Sequence, residues 1–452
     1  MIEDNKKYDV LIVGAGPAGL FAAYEIVQKS PKTSVCLVDM GKSIKKRSKK
    51  DVMTGVGGAG TFSDGKLHFT PVLSHEKMFH LYPIAEYQKY IDYVDKLFTD
   101  FGVDSPYTPE NYSEVNKLVD DCKRNGIHLF IRKARHVGTD VLSKIIGDFE
   151  DDLRKKKVEF KTETEVTDLI VKDDRCQGVI TKEGKEILAV KVILAPGRIR
   201  ARWLQTIGDK YQLEYDYEKV EVGIRVEFPS VLMKKYTDLM YETIFLMFTP
   251  TFDDPVRTFC PCPNGMVATE TYDGFVCVNG HSNSDHQSPN SNFAFVTEIT
   301  LTEPVENTTQ YAKSIAHLAS TIGGGKPILQ RLVDLRKGHR STWKRLEKSF
   351  ITPTLKDVTP GDISMALPHR VVTNLLEGLE MLDKILPGIN NSSTLLYCPE
   401  IKLRSSKIRT DRNLQTSKVS NLYVAGDGAG LSGNIVGAAI TGVMAGRGVM
   451  GK

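Results

Sequence analysis

The sequence is poor in the features that mark membrane, secreted and nucleic-acid-binding proteins. It has no run of ~18 apolar residues that could form a membrane-spanning helix. The first residues, MIEDNKKYD, contain no apolar signal core. The net charge is only +4, from 60 basic and 56 acidic residues, and the one basic run, Lys42–Lys50, is predicted to be a solvated loop. We therefore expect a cytoplasmic protein with no membrane or nucleic-acid partner.

Cysteine is also scarce. Seven scattered cysteines, an odd number, argue against a disulfide framework and fit a reducing compartment. The sequence has no C-x-x-C redox pair. Cys260 and Cys262 alone cannot complete a zinc site, and no matching cysteine pair or histidine cluster follows them, so no metal is expected.

The first part of the chain carries a β–α–β signature. Asp9–Val13 (DVLIV) predicts a buried parallel strand, Gly14–Gly19 (GAGPAG) follows at once, and a helical pattern comes next. The following strand ends at Asp39. In such a unit the glycines permit a tight turn, close approach of a diphosphate and helix–strand packing, and the acid accepts hydrogen bonds from ribose. The pattern predicts a bound dinucleotide.

Two distant segments favour FAD over NAD. Lys191–Leu194 (KVIL) predicts a strand that ends in Ala195–Gly197, and Asn421–Ala425 (NLYVA) one that ends in Gly426-Asp427. With the last helical stretch, this order resembles the FAD-binding fold of glutathione-reductase-type flavoproteins. The resemblance implies that Asp427 holds the flavin ribityl chain. It also implies that Gly433–Val436, at the start of the last helix, face the flavin pyrimidine. A helix N-cap is the alternative role for Asp427.

The same resemblance gives the glycine-rich stretch Gly55–Phe69 a role. Glycine this dense favours neither a helix nor a core. In that fold the loop after the second strand runs beneath the flavin, so we interpret its glycines as clearance for the ring and diphosphate. Thr61 and Ser63 would offer hydroxyls, and Lys66 a cation near the flavin or the substrate.

Several motifs also resemble a family of uncharacterised FAD-dependent dehydrogenases from bacteria and archaea, across nearly the whole chain. Gly57–Leu67 (GGAGTFSDGKL) is the most specific, although Gly426-Asp427 stands where many members have Gly-Glu. The other matching segments are Arg257–Gly265 (RTFCPCPNG), Gly323–Arg340, Leu367–Gly388 and Glu400–Arg409.

These observations predict one FAD, with NAD(P)H only as a transient reductant, because no second G-x-G-x-x-G follows a strand. The predicted FAD-binding residues are Gly14, Gly16, Pro17, Ala18, Gly19, Asp39, Met40, Arg47, Gly58, Ala59, Gly60, Thr61, Phe62, Ser63, Val166, Ala195, Pro196, Gly197, Gly426, Asp427, Gly433, Asn434, Ile435 and Val436.

The predicted fold is α/β, with a discontinuous Rossmann-type FAD-binding domain and a second α+β substrate domain. The FAD-binding domain takes residues 1–72, 128–205 and 395–452, and the second domain takes 206–394. Residues 73–127 are predicted to be a helical insertion.

Candidate chemistry lies mainly in the second domain. Lys66, Cys262 and His281 are the candidate catalytic residues, His281 because an imidazole titrates near neutral pH. Cys260 is a candidate substrate-lining residue, with an inert packed loop as the alternative. Arg257 and Arg404 are candidates for gripping a substrate carboxylate, with structural ion pairing as the alternative.

The leading functional hypothesis is an FAD-dependent oxidoreductase that exchanges a hydride with a small organic substrate. A flavoprotein-like binder without flavin, similar to the escort proteins of prenylated GTPases, is one alternative. A tRNA-modifying flavoprotein is another, which the near-neutral charge disfavours.

Overall fold

A computed structural model describes residues 6–48, 51–62, 65–71, 78–240, 242–272, 275–281, 287–302, 307–402 and 406–451. The chain divides into two compact units, each discontinuous in sequence. The first unit contains residues 1–107, 133–218 and 405–452, and the second contains 108–132 and 219–404. No helix within the described ranges is long and apolar enough to cross a bilayer.

Helices and strands alternate along the first unit, and strands dominate the middle of the second. The helices are α1 (Pro17–Lys29), α2 (Ile84–Asp100), α3 (Tyr112–Arg124), α4 (Thr139–Lys155), α5 (Ala201–Tyr211), α6 (Lys234–Thr237), α7 (Thr308–Ile322), α8 (Leu332–Arg336), α9 (Trp343–Leu346), α10 (His369–Asp383) and α11 (Ile435–Val449). The strands are β1 (Tyr8–Val13), β2 (Val35–Val38), β3 (Lys66–His68), β4 (Tyr107–Thr108), β5 (His128–Ile131), β6 (Ala134–His136), β7 (Glu159–Lys161), β8 (Val166–Lys172), β9 (Arg175–Thr181), β10 (Glu186–Leu194), β11 (Tyr215–Asp216), β12 (Val220–Pro229), β13 (Thr243–Phe248), β14 (Pro255–Cys262), β15 (Met266–Tyr272), β16 (Phe275–His281), β17 (Asn290–Ile299), β18 (Ile328–Arg331), β19 (Thr359–Pro360), β20 (Leu395–Lys402), β21 (Lys407–Ile408) and β22 (Leu422–Val424).

The first unit is built on a parallel sheet. Strands β7, β2, β1, β10 and β22 lie side by side in this order, and β9 and β8 extend the sheet with antiparallel pairs. Strands β1, β2 and β22 are mainly apolar and buried, as parallel strands covered by helices are. Because these strands run the same way, the turns after β1, β2, β10 and β22 meet at one sheet edge.

Helices α1 and α11 pack closely because small residues line their contact. A side chain at Gly442 would place its Cβ 2.1 Å from the carbonyl oxygen of Ala18, and at Gly446 3.0 Å from that of Ala22. This packing fixes the N-termini of both helices near the turn after β1.

The second unit contains a sheet in the order β19-β18-β20-β12-β17-β14-β13-β5. Its central strand β12 reads VEVGIRVEFP, a strict alternation. The apolar set, from Val220 to Phe228, joins the hydrophobic core of this unit. The opposite face therefore carries Glu221, Arg225 and Glu227, which are also buried.

The predicted α/β fold, with a discontinuous Rossmann-type part and a second α+β part, is confirmed. The limits of the units differ from the predicted ones. Helix α5 spans the predicted limit at 205 and stays in the first unit, whereas β20 pairs with β12 in the second sheet. The predicted insertion 73–127 is divided, with α2 in the first unit and α3 in the second. The boundaries of the units depend on pairings between strands that are far apart in the sequence. Local sequence patterns do not reveal such pairings.

Candidate functional site

Three turns of the first unit approach one another through glycine backbone. Gly14 has φ +102°, and a Cβ there would lie 2.1 Å from the carbonyl oxygen of Ala195. The N–H of Gly57 donates to the carbonyl of Ala15 at 2.8 Å. A Cβ on Gly58 would lie 3.2 Å from the Cα of Gly16. The glycines of the 55–60 loop therefore serve contact with the turn after β1, besides any clearance for a flavin.

Gly16 differs from its neighbours because a methyl group fits there. Its nearest neighbour would be the Cα of Gly58, 3.9 Å from an added Cβ, and its φ of −71° suits any residue. Gly16 is the N-cap residue of α1, and no side chain caps this end of the helix. Pro17 is the first residue of the helix. The first-turn N–H groups of Ala18 and Gly19 have no acceptor within the helix, so this end can bind an anion.

A small pocket, with a cavity volume of about 40 Å³, opens beside this turn. Arg200 forms part of its wall, where its Nη1 donates to Glu165 at 2.6 Å and its Nη2 to the carbonyl of Val166 at 2.9 Å. The Trp203 indole N–H donates to the carbonyl of Thr167 at 2.8 Å. The pocket is lined by Val13, Gly14, Val38, Asp39, Met40, Thr164, Glu165, Val166, Pro196, Arg200 and Trp203.

Five predicted FAD-binding residues line this pocket, together with six residues that were not predicted. Glu165, Arg200 and Trp203 escaped the sequence reasoning, although Arg200 and Trp203 follow Ala195–Gly197 closely. An aromatic side chain just after that turn is the signal that could have found Trp203.

Asp39 joins three segments through its carboxylate. One oxygen accepts from the N–H of Ala15 at 2.8 Å, and the other accepts from Gly41 at 2.8 Å and Gly55 at 3.0 Å. Its predicted partner is a ribose hydroxyl. The structure adds a second role, because the same carboxylate holds the turn after β1 against the glycine-rich loop.

Arg47, a predicted cofactor contact, donates hydrogen bonds to the glycine-rich loop. Its Nη atoms donate to the carbonyls of Gly55, Val56, Asp51, Val52 and Gly58, at 2.5–3.5 Å. Phe62 lies under the guanidinium, 4.6 Å away. Burial lowers the pKa of Arg47.

The solvated-loop prediction for Lys42–Lys50 therefore fails at Arg47, which turns inward, while Lys42 and Lys45 pair with carboxylates near the surface. Five backbone carbonyls of residues 51–58 bind this guanidinium. A run of basic residues in the sequence does not reveal such an arrangement.

The rest of the glycine-rich loop leads toward α11. Ala59–Phe62 form a short 3-10 helix in which Thr61 is buried. A Cβ on Gly60 would lie 2.7 Å from the Ile435 side chain. Lys66 follows in β3 and is only 8% exposed. Ser63 lies outside the described residues.

The turn after β22 places the remaining predicted residues. The Ser432 hydroxyl donates to Asp427, and Arg198 Nε lies 3.5 Å from the other carboxylate oxygen. Asn434 is the N-cap of α11, and its side chain accepts from the N–H of Gly437 at 2.8 Å. The alternative role of Asp427 as a helix cap is therefore wrong for α11. At Gly433 an added Cβ would meet nothing within 4 Å.

In the second unit, the polar face of β12 is the centre of a buried charged cluster. Glu227 accepts from Tyr397 and from Asn290. Arg257 holds both oxygens of Glu221. Because this guanidinium is committed to Glu221, the contacts favour the structural alternative for Arg257 over a substrate grip.

Arg225 is completely buried and uses every nitrogen. Its Nε donates to Asn292 at 2.6 Å, Nη1 lies 3.3 Å from Glu400, and Nη2 donates to the carbonyl of Cys260 at 2.8 Å. Nη2 also lies 3.4 Å from the Cys262 sulfur. Burial lowers the pKa of Arg225, but the charges of Glu400, Cys262 and Cys260 and the hydrogen bond to Glu400 together outweigh it, and the net pKa is raised. The sequence reasoning missed Arg225 and Glu400, although the alternation in β12 is their signal.

The other predicted residues of the second unit are scattered. His281 is exposed at the end of β16, opposite Met266 of β15. Cys260 is partly exposed with φ +45°. Arg404 lies outside the described residues.

Two family models match the chain. "FAD-dependent protein, C-terminal domain-like" matches residues 219–403, and "FAD binding domain" matches 121–215. An uncharacterized protein from Clostridium beijerinckii is 24% identical over 478 residues, 96% of this chain and 79% of that protein.

Solved structures with similar folds include glycine oxidase from Bacillus cereus, with 14% identity, TM-score 0.39, and 99% and 98% of the two chains covered. L-proline dehydrogenase from P. horikoshii has 12% identity, TM-score 0.42, and 98% and 93% coverage. The 3-ketosteroid-delta4-(5alpha)-dehydrogenase from Rhodococcus jostii has 12% identity, TM-score 0.47, and 99% and 98% coverage. Similarities of this size identify no substrate.

The family matches confirm the prediction of FAD as cofactor. They specify neither the substrate nor the reaction.

Proposed function

We propose that the first unit binds FAD and that the enzyme transfers two electrons, as a hydride, between the flavin and a small organic substrate. The proposal includes no separate NAD(P)H-binding domain. Bound FAD supplies the hydride acceptor or donor, and the chain supplies binding, orientation and exclusion of water.

The observation that carries the proposal is the open space at Gly16 beside the pocket. Gly14 and Gly19 are glycine for reasons internal to the fold, since added Cβ atoms would lie 2.1 Å and 1.9 Å from backbone oxygens. Gly16 has no such neighbour. A glycine that the protein does not itself require supports close approach of a ligand, and the adjacent helix N-terminus suits a diphosphate.

The pocket supports an adenine nucleotide rather than FMN. Val166, Pro196 and Trp203 offer apolar surface to a base, and Asp39 offers a carboxylate to ribose. The residues present therefore fit FAD, with its adenosine part in this pocket and its diphosphate at Gly16.

On the flavin side, we propose that Asp427 binds the ribityl chain and that residues 433–436 bind the pyrimidine. The α11 N-terminus favours negative charge on the reduced ring, because the helix dipole is positive there. Gly433 leaves room for such contact. Lys66 is the candidate cation of this unit, and Cys262, His281 and Arg404 remain candidates toward the substrate.

The first experiment is a visible spectrum of the purified protein, followed by release of the cofactor by heat and its identification by chromatography. We expect flavin bands and FAD, not FMN. Anaerobic addition of NADH or NADPH then separates two reaction types. Bleaching indicates a reductase that accepts NAD(P)H in its substrate cavity, and persistent bands indicate a dehydrogenase that its own substrate reduces.

Lys66→Met tests the proposed cation near the flavin. Lys42→Met, which removes a lysine from a surface ion pair, is the matched control. Loss of the Lys66 cation is expected to lower the flavin reduction potential, because the reduced ring is anionic, whereas the control leaves it unchanged. A protein that stays colourless after FAD is supplied would contradict the proposal and favour the binder without flavin.

A further inference from the structure

Cys262 lies beside a buried cation. Its sulfur is 3.4 Å from Nη2 of Arg225 and 3.6 Å from the carbonyl oxygen of Cys260. Arg225 is fully buried, and Cys262 is 3% exposed. A cation at this distance in a low-dielectric interior favours the thiolate form of a cysteine.

Buried charges of both signs lie around Cys262. Arg225 and Lys402 each carry a positive charge, and Glu400, 3.3 Å from Arg225 and 2.5 Å from Lys402, carries one negative charge. Glu221 and Arg257 neutralise each other on the same face. Glu227 is buried on the same face, so these charges balance without Cys262, and the contact with Arg225 is what favours the thiolate.

Further titratable groups lie on the neighbouring strands. Glu270 and Cys277 come from the β15–β16 ribbon, and His281 is exposed at its end. Burial raises the pKa of Cys277 to about 12, and Glu400 and Glu270 add to the effect.

Asn292 adds an independent sign of an unfilled polar site. It is completely buried and stands opposite Cys262 in the β14–β17 pairing. Its side-chain oxygen accepts from Arg225, but among the described residues its Nδ2 has no acceptor. Buried donors rarely lack a hydrogen-bond acceptor in folded proteins. A Cys262 thiolate, or a group bound to Cys262, would supply an acceptor for Nδ2 of Asn292.

The strand is also irregular at Cys260. The β14–β17 register shifts between Phe259 and Cys262, and Cys260 has φ +45°, in the left-handed region. Strain of this kind in a non-glycine residue persists only where its surroundings hold it, often at functional sites. Cys260 is also the more exposed of the two thiols.

We propose that Cys262 is an ionised nucleophile and that Cys260 is its resolving partner, a thiol redox site in the second unit. The co-reactant is a low-molecular-weight disulfide, RSSR. The Cys262 thiolate attacks one sulfur, forms a mixed disulfide and releases one RS⁻. Cys260 gives its proton to solvent and attacks the Cys262 sulfur, which releases the second RS⁻. Two cysteine thiols are oxidised by two electrons, and one RSSR is reduced to two thiols.

Glutathione disulfide is the probe, added to the holoenzyme and followed by mass spectrometry of the peptide 258–265. The expected product is a peptide lighter by two hydrogens with no adduct. In Cys260→Ser the glutathione adduct is expected to stay on Cys262, and in Cys262→Ser no adduct forms on this peptide. An adduct on Cys260 in Cys262→Ser at the wild-type rate would overturn the assignment of the nucleophile.

The thiolate itself is tested by its ultraviolet absorbance against pH. Cys262→Ser should lose a titration step that lies below the ordinary cysteine value of about 8.5, whereas Cys277→Ser, the matched buried control, should lose none there. If Cys262→Ser titrates like the wild type in that range, the proposal is wrong.

Two variants test whether Arg225 holds Cys262 in its ionised form. The second variant keeps the test valid if the first one does not fold. Arg225→Met should slow the reaction with glutathione disulfide at neutral pH at least about tenfold, because only a few per cent of an ordinary cysteine is thiolate there. Gly280→Ala should act in the same direction, since its Cβ would lie 1.8 Å from Arg225 Nη2 and 2.6 Å from the Cys262 sulfur. Unchanged rates in a folded variant of either kind would refute the role of Arg225.

Discussion

Replacing Gly16 by alanine separates what the cofactor requires from what the fold requires. The backbone at Gly16 has φ −71° and ψ −177°, which alanine adopts without strain, and the added Cβ would meet nothing closer than 3.9 Å. Reduced freedom of the unfolded chain then stabilises the apoprotein by about 0.5 kcal/mol. FAD affinity should fall, because the methyl group would occupy the space that we assign to the diphosphate.

The loss of FAD affinity in Gly16→Ala can be estimated from the hydrogen bonds that the methyl group would displace. Displacing the diphosphate from the N-terminus of α1 removes one charge-assisted hydrogen bond, which is worth about 1.5–3 kcal/mol. At 1.4 kcal/mol per tenfold, Gly16→Ala should weaken FAD binding by about 10- to 100-fold.

The assay is fluorescence titration of apoprotein with FAD, beside urea unfolding of the same apoprotein. Gly14→Ala is the control, because φ +102° and the oxygen 2.1 Å from its Cβ predict a destabilised fold as well as lost FAD. Unchanged FAD affinity in Gly16→Ala would refute the placement of the diphosphate. A clearly less stable apoprotein would show that Gly16 serves the fold after all.

Three further predictions concern charged side chains that make several hydrogen bonds within the chain. Asp39→Asn should lower both FAD affinity and apoprotein stability, the latter by about 2 kcal/mol, because an amide group replaces one acceptor of backbone N–H groups; calorimetry with and without FAD checks both effects. Arg47→Met should destabilise the apoprotein by about 3 kcal/mol by leaving loop carbonyls without a donor, and Arg47→Lys should recover only part of this in urea unfolding. Burial alone would raise the pKa of Asp334, but hydrogen bonds from Arg331 and Arg345 outweigh it and lower that pKa to about 2. Its stabilising effect is therefore full above the unfolded value of about 3.9 and is lost as the pH falls toward about 2. Asp334→Asn should be about 2 kcal/mol less stable at neutral pH, and its unfolding midpoint should converge with the wild type over that acid range; a constant difference would contradict this account.

The cofactor half of the molecule could be predicted well because its signals are local. Gly14–Gly19 stand between a strand and a helix of the expected lengths, and Asp39 ends the next strand. Each of these features depends on residues close in sequence, where hydrophobic period and glycine placement are informative.

The second unit was harder because its partners are far apart in sequence. Arg225 meets Glu400 across 175 positions, and only the pairing of β12 with β20 brings them together. The alternation in β12 predicts a strand with one charged face. Such a face is usually exposed to water. Here the β15–β16 ribbon covers it, with Gly280 against Arg225, and nothing in either segment alone indicates that contact.

The guanidinium of Arg47 has a consequence for the kinetics of reconstitution. It holds carbonyls from Asp51 to Gly58 through contacts within the chain, so we expect that this segment need not become ordered when FAD arrives. Association with the apoprotein should then be a single bimolecular step, with an observed rate that rises linearly with FAD concentration. In Arg47→Lys the loop must first reach its binding shape, and the rate should level off at high FAD concentration.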